Sequence, residues 1–196
     1  MKKEILVVWL IAATLVLSCT GNSGSVKGKT PQEIVQEQAG QVITALQKRD
    51  MNRVSVLVHP TKGVRFSPYA YVQDKDLLFM PDQLTDLLND TKKYHWGEQD
   101  GSGDPLLMTF QEYYDRFVYN KDYARAEKQS LNERIGGGNS IDNSREYYPD
   151  SMVMEYYFSG SDPRYGGMDW GSLRLVFQEE NAQWYLVGII HDEWTI

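Results

Sequence analysis

Cysteine is scarce in this sequence of 196 residues, and the single one, Cys19, lies near the N-terminus. The rest of the chain therefore has no pair of thiols for a disulfide, and packing must supply its stability. Three histidines are present, His59, His95 and His191, without the short spacing typical of zinc sites. The sequence thus predicts neither a disulfide scaffold nor a metal site, and no motif indicates another cofactor.

Basic clusters and catalytic motifs are missing as well. There is no Gly-x-Ser-x-Gly, no His-Glu-x-x-His and no phosphate loop. Residues 30–196 carry 16 basic and 26 acidic side chains, because residues 1–29 hold four of the 20 lysines and arginines and one of the 27 acidic residues. The resulting charge of −10 repels phosphate, so nucleic acid is not an expected partner.

No hydrophobic run in the leader is long enough to span a membrane. The run Ile5–Leu17 has 13 residues, whereas a bilayer crossing takes about 20 and a secretory leader roughly 7 to 15. Two lysines precede the run, and a small residue and Cys19 follow it. The pattern predicts a signal peptide over residues 1–18 and a flexible Gly/Ser/Lys-rich tether over 19–29.

The segment Val16-Leu17-Ser18-Cys19 resembles the lipobox of bacterial lipoproteins. That resemblance implies that the Cys19 thiol takes a diacylglyceryl group and becomes the mature N-terminus. The expected location is then the extracytoplasmic side of a bacterial cell membrane or outer membrane. Two or three acyl chains hold a protein stably, because each buried CH₂ contributes about 0.8 kcal/mol. An ordinary signal peptide, or an uncleaved anchor with an incidental cysteine, is the alternative.

Capping signals mark the helices. Thr-Pro-Gln-Glu at residues 30–33 combines an N-cap, a proline at the first helical position and a capping-box Glu. It predicts an amphipathic helix that ends near Lys48. Thr109 and Glu112 predict a second helix, with aromatic residues at helical spacing. Short helices are also expected after Asp50 and within residues 81–89.

Alternating apolar residues and turn signals predict the strands. They cover residues 64–72, 76–80, 92–97, 152–158, 172–178 and 183–191. Pro68 should make the first of these irregular or place it at a sheet edge. The last two should form a hairpin around residues 179–182. The stretches 135–144 and 160–167 are rich in turn-forming residues and predict mobile loops.

Helices followed by long strands, and a final strand that runs from Trp184 through apolar residues to His191, resemble the nuclear-transport-factor-2-like superfamily. That resemblance implies an α+β fold. N-terminal helices would pack on a strongly bent antiparallel sheet, forming a cone with one pocket in a single domain over residues 30–196. The chain is also similar to uncharacterised bacterial lipoproteins. Members of the superfamily range from dehydratases and ketosteroid isomerases to non-catalytic binding modules, so the fold alone does not decide the function.

Aromatic residues on the strands are the candidates for lining that pocket. They are Tyr94, Trp96, Tyr156 and Trp170, together with His191 at the end of the last strand. Such a pocket would suit a sugar, a peptide or an apolar ligand. Core packing is the alternative for each aromatic residue, since half of a strand's side chains face inward whatever the function.

A proton-transfer enzyme would need an Asp or a His inside the apolar pocket, with its pKa shifted by burial. His191 and Asp115 are the candidates. The alternative for His191 is a solvated strand end with the imidazole paired to a local carboxylate. For Asp115 it is a surface ion pair with a residue one helical turn away or a neighbour.

The segment Asp100-Gly-Ser-Gly-Asp104 places oxygen side chains at positions one, three and five, as calcium loops do. Pro105 then stands where an EF-hand needs glycine, and Gln111 stands where it needs a bidentate Glu. A Gly-rich turn between two strands is the alternative interpretation. A calcium-supported adhesion role would depend on this loop.

The sequence therefore favours a membrane-anchored extracytoplasmic lipoprotein whose domain binds a small ligand or an envelope protein without catalysis. The second hypothesis is an isomerase- or dehydratase-like enzyme that uses a buried Asp or His. A closed apolar cavity containing an ionisable residue would favour the enzyme. An interior filled by Tyr and Trp would favour binding.

Overall fold

The structure is a computed structural model that describes residues 28–137 and 140–194. The helices are α1 (Pro31–Gln47), α2 (Met51–Ser55), α3 (Pro81–Leu84), α4 (Phe110–Tyr113) and α5 (Ser144–Tyr147). The strands are β1 (Val64–Ser67), β2 (Leu77–Phe79), β3 (Tyr94–Glu98), β4 (Pro105–Met108), β5 (Lys128–Leu131), β6 (Ser151–Phe158), β7 (Gly171–Glu180) and β8 (Gln183–Glu193). The predicted signal peptide and Cys19 lie outside the described residues. Within those residues, every helix is too short or too polar to cross a bilayer.

Helix α1 begins where the capping box predicts. The Thr30 hydroxyl accepts a hydrogen bond from the backbone N–H of Glu33, and the Glu33 carboxylate accepts one from the N–H of Thr30 at 2.7 Å. These bonds satisfy two of the donors that a helix start leaves unpaired. The buried side chains of α1 are Val35, Ala39, Val42, Ile43, Ala45 and Leu46. The predicted amphipathic helix is therefore confirmed.

The aromatic helix begins at Thr109, again through a capping box with Glu112. After the single α-helical turn of α4, the chain continues as a π-helical turn over Tyr114–Val118. The N–H of Tyr119 closes this wider turn by donating to the Tyr114 carbonyl at 2.9 Å. The side chains predicted to lie in the core, Phe110, Tyr113, Tyr114, Phe117 and Val118, are all buried.

Six strands form one sheet in the order β2-β1-β8-β7-β6-β5, and β3 pairs with β4 in a separate antiparallel ribbon. The α+β class is confirmed. The prediction of a wholly antiparallel sheet is wrong for one pair of strands, because β1 and β8 run parallel with Arg65 opposite Gly188. Residues 64–72 were predicted to be irregular or at an edge, and the edge position is wrong, since β1 lies between β2 and β8. β1 ends at Ser67, so Pro68 falls outside the ladder and its missing N–H costs no sheet bond.

The closing hairpin is longer than predicted. β7 and β8 pair from Gly171 opposite Glu193 to Glu180 opposite Gln183. Asn181 and Ala182 alone form the turn, with φ of 53° and 60°. Two positive φ angles give the twist that joins antiparallel strands in a two-residue turn.

The two faces of the large sheet are covered by different parts of the chain. On the inner face, Leu173, Leu175 and Phe177 pack in the main core with α1 and the aromatic helix. On the outer face, Val176 and its neighbours form a second, smaller core; its members are Val72, Tyr148, Val176, Val187 and Ile190. Residues 132–137 and 140–148, here called the strap, contribute Tyr148 to this second core.

Candidate ligand-binding cleft

The space between the helices and the inner face of the sheet is filled by aromatic rings. Trp96 stacks on Tyr113 with ring centroids 3.7 Å apart and planes inclined by 14°. Phe66 meets Trp96, Phe110 and Tyr113 edge-on at 5.4 to 6.4 Å. The Trp96 indole N–H donates to the Met108 carbonyl at 3.0 Å. These four rings are at most 1% exposed, so this region is close-packed core.

The structure does not bring the five predicted pocket residues together. Trp96 and Tyr156 are buried in the main core. Tyr94 is partly buried beside a shallow surface hollow and donates its hydroxyl proton to Asp90 at 2.6 Å. Trp170 stacks on Tyr157 with centroids 6.0 Å apart. The fifth residue lies at the end of β8, where Leu173 of β7 separates it from Tyr156 in the register of the sheet.

That fifth residue, His191, is 1% exposed rather than solvated as the sequence suggested. Its Nδ1 lies 3.3 Å from the Pro68 carbonyl and its Nε2 lies 3.2 Å from the side-chain amide of Asn120. The pKa of His191 is lowered to about 4, mainly by burial and also by the charges of Arg116 and Lys121, while the hydrogen bond to Pro68 opposes the shift. The imidazole is therefore neutral near pH 7, donating from Nδ1 and accepting at Nε2.

Asp115 is the second predicted catalytic candidate, and it lies at the surface. Its carboxylate pairs with Arg49, and both side chains are about half exposed, at 48% and 46%. The interpretation as a surface ion pair is confirmed, although the partner comes from the C-terminal end of α1 and not from its own helix. Pairs this exposed contribute little stability.

Asp76 is a buried carboxyl group that sequence analysis assigned only to the start of a strand. It is 5% exposed and accepts a hydrogen bond from the Gln73 N–H at 2.9 Å. Burial raises the pKa of Asp76. The pKa of Tyr113 is raised by burial and by the charge of Asp76. No local sequence signal marks this pair, because Asp76 precedes β2 and Tyr113 belongs to α4, which are distant parts of the chain.

A surface cleft of about 560 Å³ lies where four segments of the chain meet. The segments are residues 69–75, the β3–β4 turn at 98–103, the strap at 140–141 and the end of β8 at 192–193. None of the five predicted pocket residues lines it. Sequence analysis singled out residues from one of its walls, the Asp100 loop.

The wall at residues 98–103 is a glycine-rich hairpin turn. The N–H of Gln99 donates to the Asp104 carbonyl at 2.7 Å, and Gly101 and Gly103 have φ of 84° and 73°. The N–H of Asp100 donates to the Tyr69 hydroxyl at 3.1 Å, which ties the turn to the opposite segment. The interpretation as a turn between two strands is confirmed. Within the described residues, no group of three or more His, Cys, Asp or Glu is arranged to hold a metal ion.

The strap forms the third wall and is held to the outer face of the sheet by hydrogen bonds. The Glu155 carboxylate accepts from the N–H groups of Ile135 and Gly136 at 2.7 and 3.0 Å. A Cβ on Gly136 would lie 2.6 Å from the Trp170 ring, so this close approach requires glycine. The described part of residues 135–144 is thus anchored at several points, unlike the mobile loop that its composition predicted.

Buried charges complete the attachment of the strap. Asp192 is 0% exposed and accepts from Arg134 at 2.8 Å and from the Ser140 hydroxyl at 2.9 Å. Arg174 is 1% exposed, and its Nη1 lies 2.6 Å from the Asp142 carboxylate while its Nη2 lies 3.5 Å from that of Asp192. Because each buried charge has a partner of opposite sign, the network can be accommodated in the fold. It places Ser140 beside the end of β8.

Two carboxylates of the cleft have no cationic partner. Among the described residues, neither Asp100 nor Glu193 lies within 4.0 Å of a lysine or arginine nitrogen, whereas Glu98 pairs with Lys75. Burial raises the pKa of Glu193, while the charges of Arg116 and Lys121 act in the opposite direction. Burial likewise raises the pKa of the Tyr69 phenol, and the charge of Arg116 opposes this rise while those of Glu193 and Asp100 add to it. Both carboxylates line the same cleft as Tyr69.

Neither a family model nor a curated protein sequence matches this chain. Among solved structures, it is similar to a DUF4783 family protein from Bacteroides ovatus, with 10% identity and a TM-score of 0.35 over 78% of this chain and 92% of that one. It is also similar to an NTF2-like protein of unknown function from Pseudomonas putida, with 6% identity and a TM-score of 0.38 over 84% of this chain and 89% of that one. TM-scores this low do not define the fold, which is instead described by the strand order and packing of this chain.

Proposed function

We propose that this chain is a lipid-anchored extracytoplasmic module of the nuclear-transport-factor-2-like type that binds a small ligand in the surface cleft and does not transform it. The observation that carries this proposal is the filled interior. Trp96, Tyr113 and the phenylalanines around them occupy the space in which a buried reaction site would have to form. The cleft, in contrast, is a concave surface with room for a ligand.

The geometry of His191 supports the same proposal. A general base must reach a substrate with a free nitrogen, and its pKa should lie near the working pH. Both nitrogens of His191 are engaged within the protein, and its ring packs on Phe117 with centroids 5.4 Å apart. The imidazole therefore serves the packing at the end of β8.

Location of ligand binding can be tested by ¹H–¹⁵N NMR on the full chain in a nonionic detergent. Cationic, neutral and anionic fragments are titrated separately. We expect at least one of the three classes to shift resonances of residues 69–75, 98–103 and 140–141. The proposal is overturned if no fragment shifts the resonances of the cleft residues, or if the largest shifts belong to the aromatic residues of the interior.

The anchor is supported by the leader pattern and by Cys19, and it is tested independently of the cleft. Cys19→Ala should release the protein from membranes, because it removes the thiol that would carry the acyl chains. Thr20→Ala is the matched control and should remain in the membrane fraction. Membrane retention of the Cys19 variant, or a mature chain without acyl groups by mass spectrometry, would contradict the anchor.

A second candidate function is proton transfer by Asp76. The observation that favours it is a carboxyl group that is 5% exposed, whose pKa is raised by burial and whose charge raises the pKa of Tyr113. Hydrogen–deuterium exchange at the α-carbon of cyclohexenone, followed by ¹H NMR, tests it. Exchange above the buffer rate that disappears in Asp76→Asn would support this function. Exchange at the buffer rate with the unaltered protein would exclude it for such ketones.

A further inference from the structure

We infer that the ligand of the cleft presents an ammonium or guanidinium group on an apolar or aromatic body. This inference rests on the proposed function, because it names the class of ligand for the same cleft. Its basis is the combination of a large concave site, two carboxylates without cationic partners, and apolar side chains exposed on the walls.

Glu193 is the first of these carboxylates. Its side chain is 35% exposed, and the nearest titratable nitrogen is Nε2 of His191 at 3.9 Å. That imidazole is neutral and offers no charge. A carboxylate that has lost part of its hydration is stabilised by a cation within reach. Arg116 and Lys121 influence Glu193 only from beyond 4.0 Å, and neither lines the cleft.

Asp100 is the second carboxylate, and it comes from the hairpin turn. The turn and the Tyr69 hydroxyl fix its backbone, while its side chain forms no ion pair within the described residues. Asp100 and Glu193 both line the cleft that contains Tyr69, so two carboxylates lie on its walls. A single cationic group bound there would meet both charges.

The other charged groups of the cleft are already compensated. Glu98 is paired with Lys75, and Asp192 is paired with Arg134 and Arg174. The uncompensated charge on the walls is therefore negative. An anionic ligand would be repelled, and a neutral one would leave Glu193 without a partner.

The apolar part of the ligand is inferred from two exposed side chains. Tyr71 is 52% exposed and Ile141 is 70% exposed, and both line the cleft. An aromatic ring face attracts cations and also packs against apolar groups. The side-chain amides of Gln73 and Gln99 lie on the same walls and offer hydrogen bonds for orientation.

Isothermal titration of the full chain in nonionic detergent at pH 7.5 tests the inference. The probe is phenethylamine, and phenethyl alcohol is its neutral counterpart of similar shape. We expect phenethylamine to bind at least about tenfold more tightly, as for a ligand that gains charge-assisted contacts. A higher salt concentration should weaken the binding of phenethylamine more than that of phenethyl alcohol.

Three variants place the binding in the cleft. Glu193→Gln and Asp100→Asn should each lower the affinity for phenethylamine by about fivefold to tenfold, since each removes one charge. Glu179→Gln removes the same charge from an exposed position at the far end of β7 and should change the affinity less than about twofold. Thermal denaturation of each variant verifies that it is folded.

The possible results separate the two proposals. If neutral or anionic fragments shift the cleft resonances as strongly as cationic ones, the cationic class is overturned and binding in the cleft stands. If phenethylamine binds but Glu193→Gln and Asp100→Asn leave its affinity unchanged, the inference is overturned as well. If no fragment of any class reaches the cleft, both proposals fail.

Discussion

The inner and outer faces of the large sheet are both buried, by different physical means. The inner face is covered by apolar and aromatic side chains, for which burial is favourable without further conditions. The outer face buries Glu155, Arg174 and Asp192, which need partners in exact number and position. The strap supplies those partners. The comparison shows that a strand such as β7 can be buried on both sides although one of its faces carries charge.

The largest expected effect comes from breaking the charge network of the outer face. Arg174→Met should destabilise the protein by about 3–5 kcal/mol, because Asp142 and Asp192 would lose a buried counter-charge. Urea denaturation measures the change. Arg125→Met is the control, since its side chain is 86% exposed, and it should cost less than about 1 kcal/mol. Equal stability of the two variants would show that the network does not hold the strap.

A cavity on the inner face should lower the free energy of unfolding by a similar or slightly smaller amount. Leu173→Ala removes a side chain that is 0% exposed and should lower the free energy of unfolding by about 2–5 kcal/mol. Leu107→Ala, at a position that is 54% exposed, should stay within about 0.5 kcal/mol. If Leu173→Ala proves as mild as its control, the inner face is not close-packed.

The contribution of His191 to the stability of the protein depends on pH. Its folded-state pKa of about 4 lies below its ordinary value of 6.5, so the unfolded chain binds the proton first as the pH falls. The stability due to the neutral imidazole is full above pH 6.5 and is lost towards pH 4, by up to about 3 kcal/mol.

The measurement is the free energy of unfolding from pH 7 to pH 4, compared with that of His191→Gln. The difference between the two curves removes the opposite contributions of Asp76 and Glu193, whose pKa values are raised. The exposed His95 provides the control, and His95→Gln should follow the unaltered protein. A difference that does not change with pH would contradict the buried, neutral state of His191.

The smallest effect is expected at the surface pair between Arg49 and Asp115. Asp115→Asn should change the free energy of unfolding by less than about 1 kcal/mol, because both side chains are about half exposed and screened by water. A double-mutant cycle with Arg49→Met measures the coupling. A coupling well above 1 kcal/mol would mean that Asp115 has a role beyond the ion pair.

The elements that could be predicted depend on local signals. The capping boxes at Thr30 and Thr109 and the turn at Asn181 act over a few residues, and the sequence displays them directly. The parallel pairing of β1 with β8 and the existence of β4 and β5 depend on distant partners. For these strands the local sequence pattern predicted either the wrong neighbouring strand or no strand.

The candidate site was harder to predict than the fold, for the same reason. Sequence analysis placed ligand contacts on aromatic residues such as Trp96, which the structure uses for packing. The cleft is assembled from residues 69–75, 98–103, 140–141 and 192–193, four segments that are far apart in the chain. Long-range contacts, such as the hydrogen bond from Asp100 to Tyr69 and the ion pair of Lys75 with Glu98, bring them together.

The most direct test of the account is the position of a bound ligand in a crystal. Crystals of the protein soaked with 4-bromophenethylamine allow the bromine atom to be located by its anomalous scattering. The account predicts a peak in the cleft near Tyr71 and Ile141, with the ammonium group facing Glu193 and Asp100. A peak among the interior rings around Trp96, or density in which the ammonium group avoids both carboxylates, would contradict it.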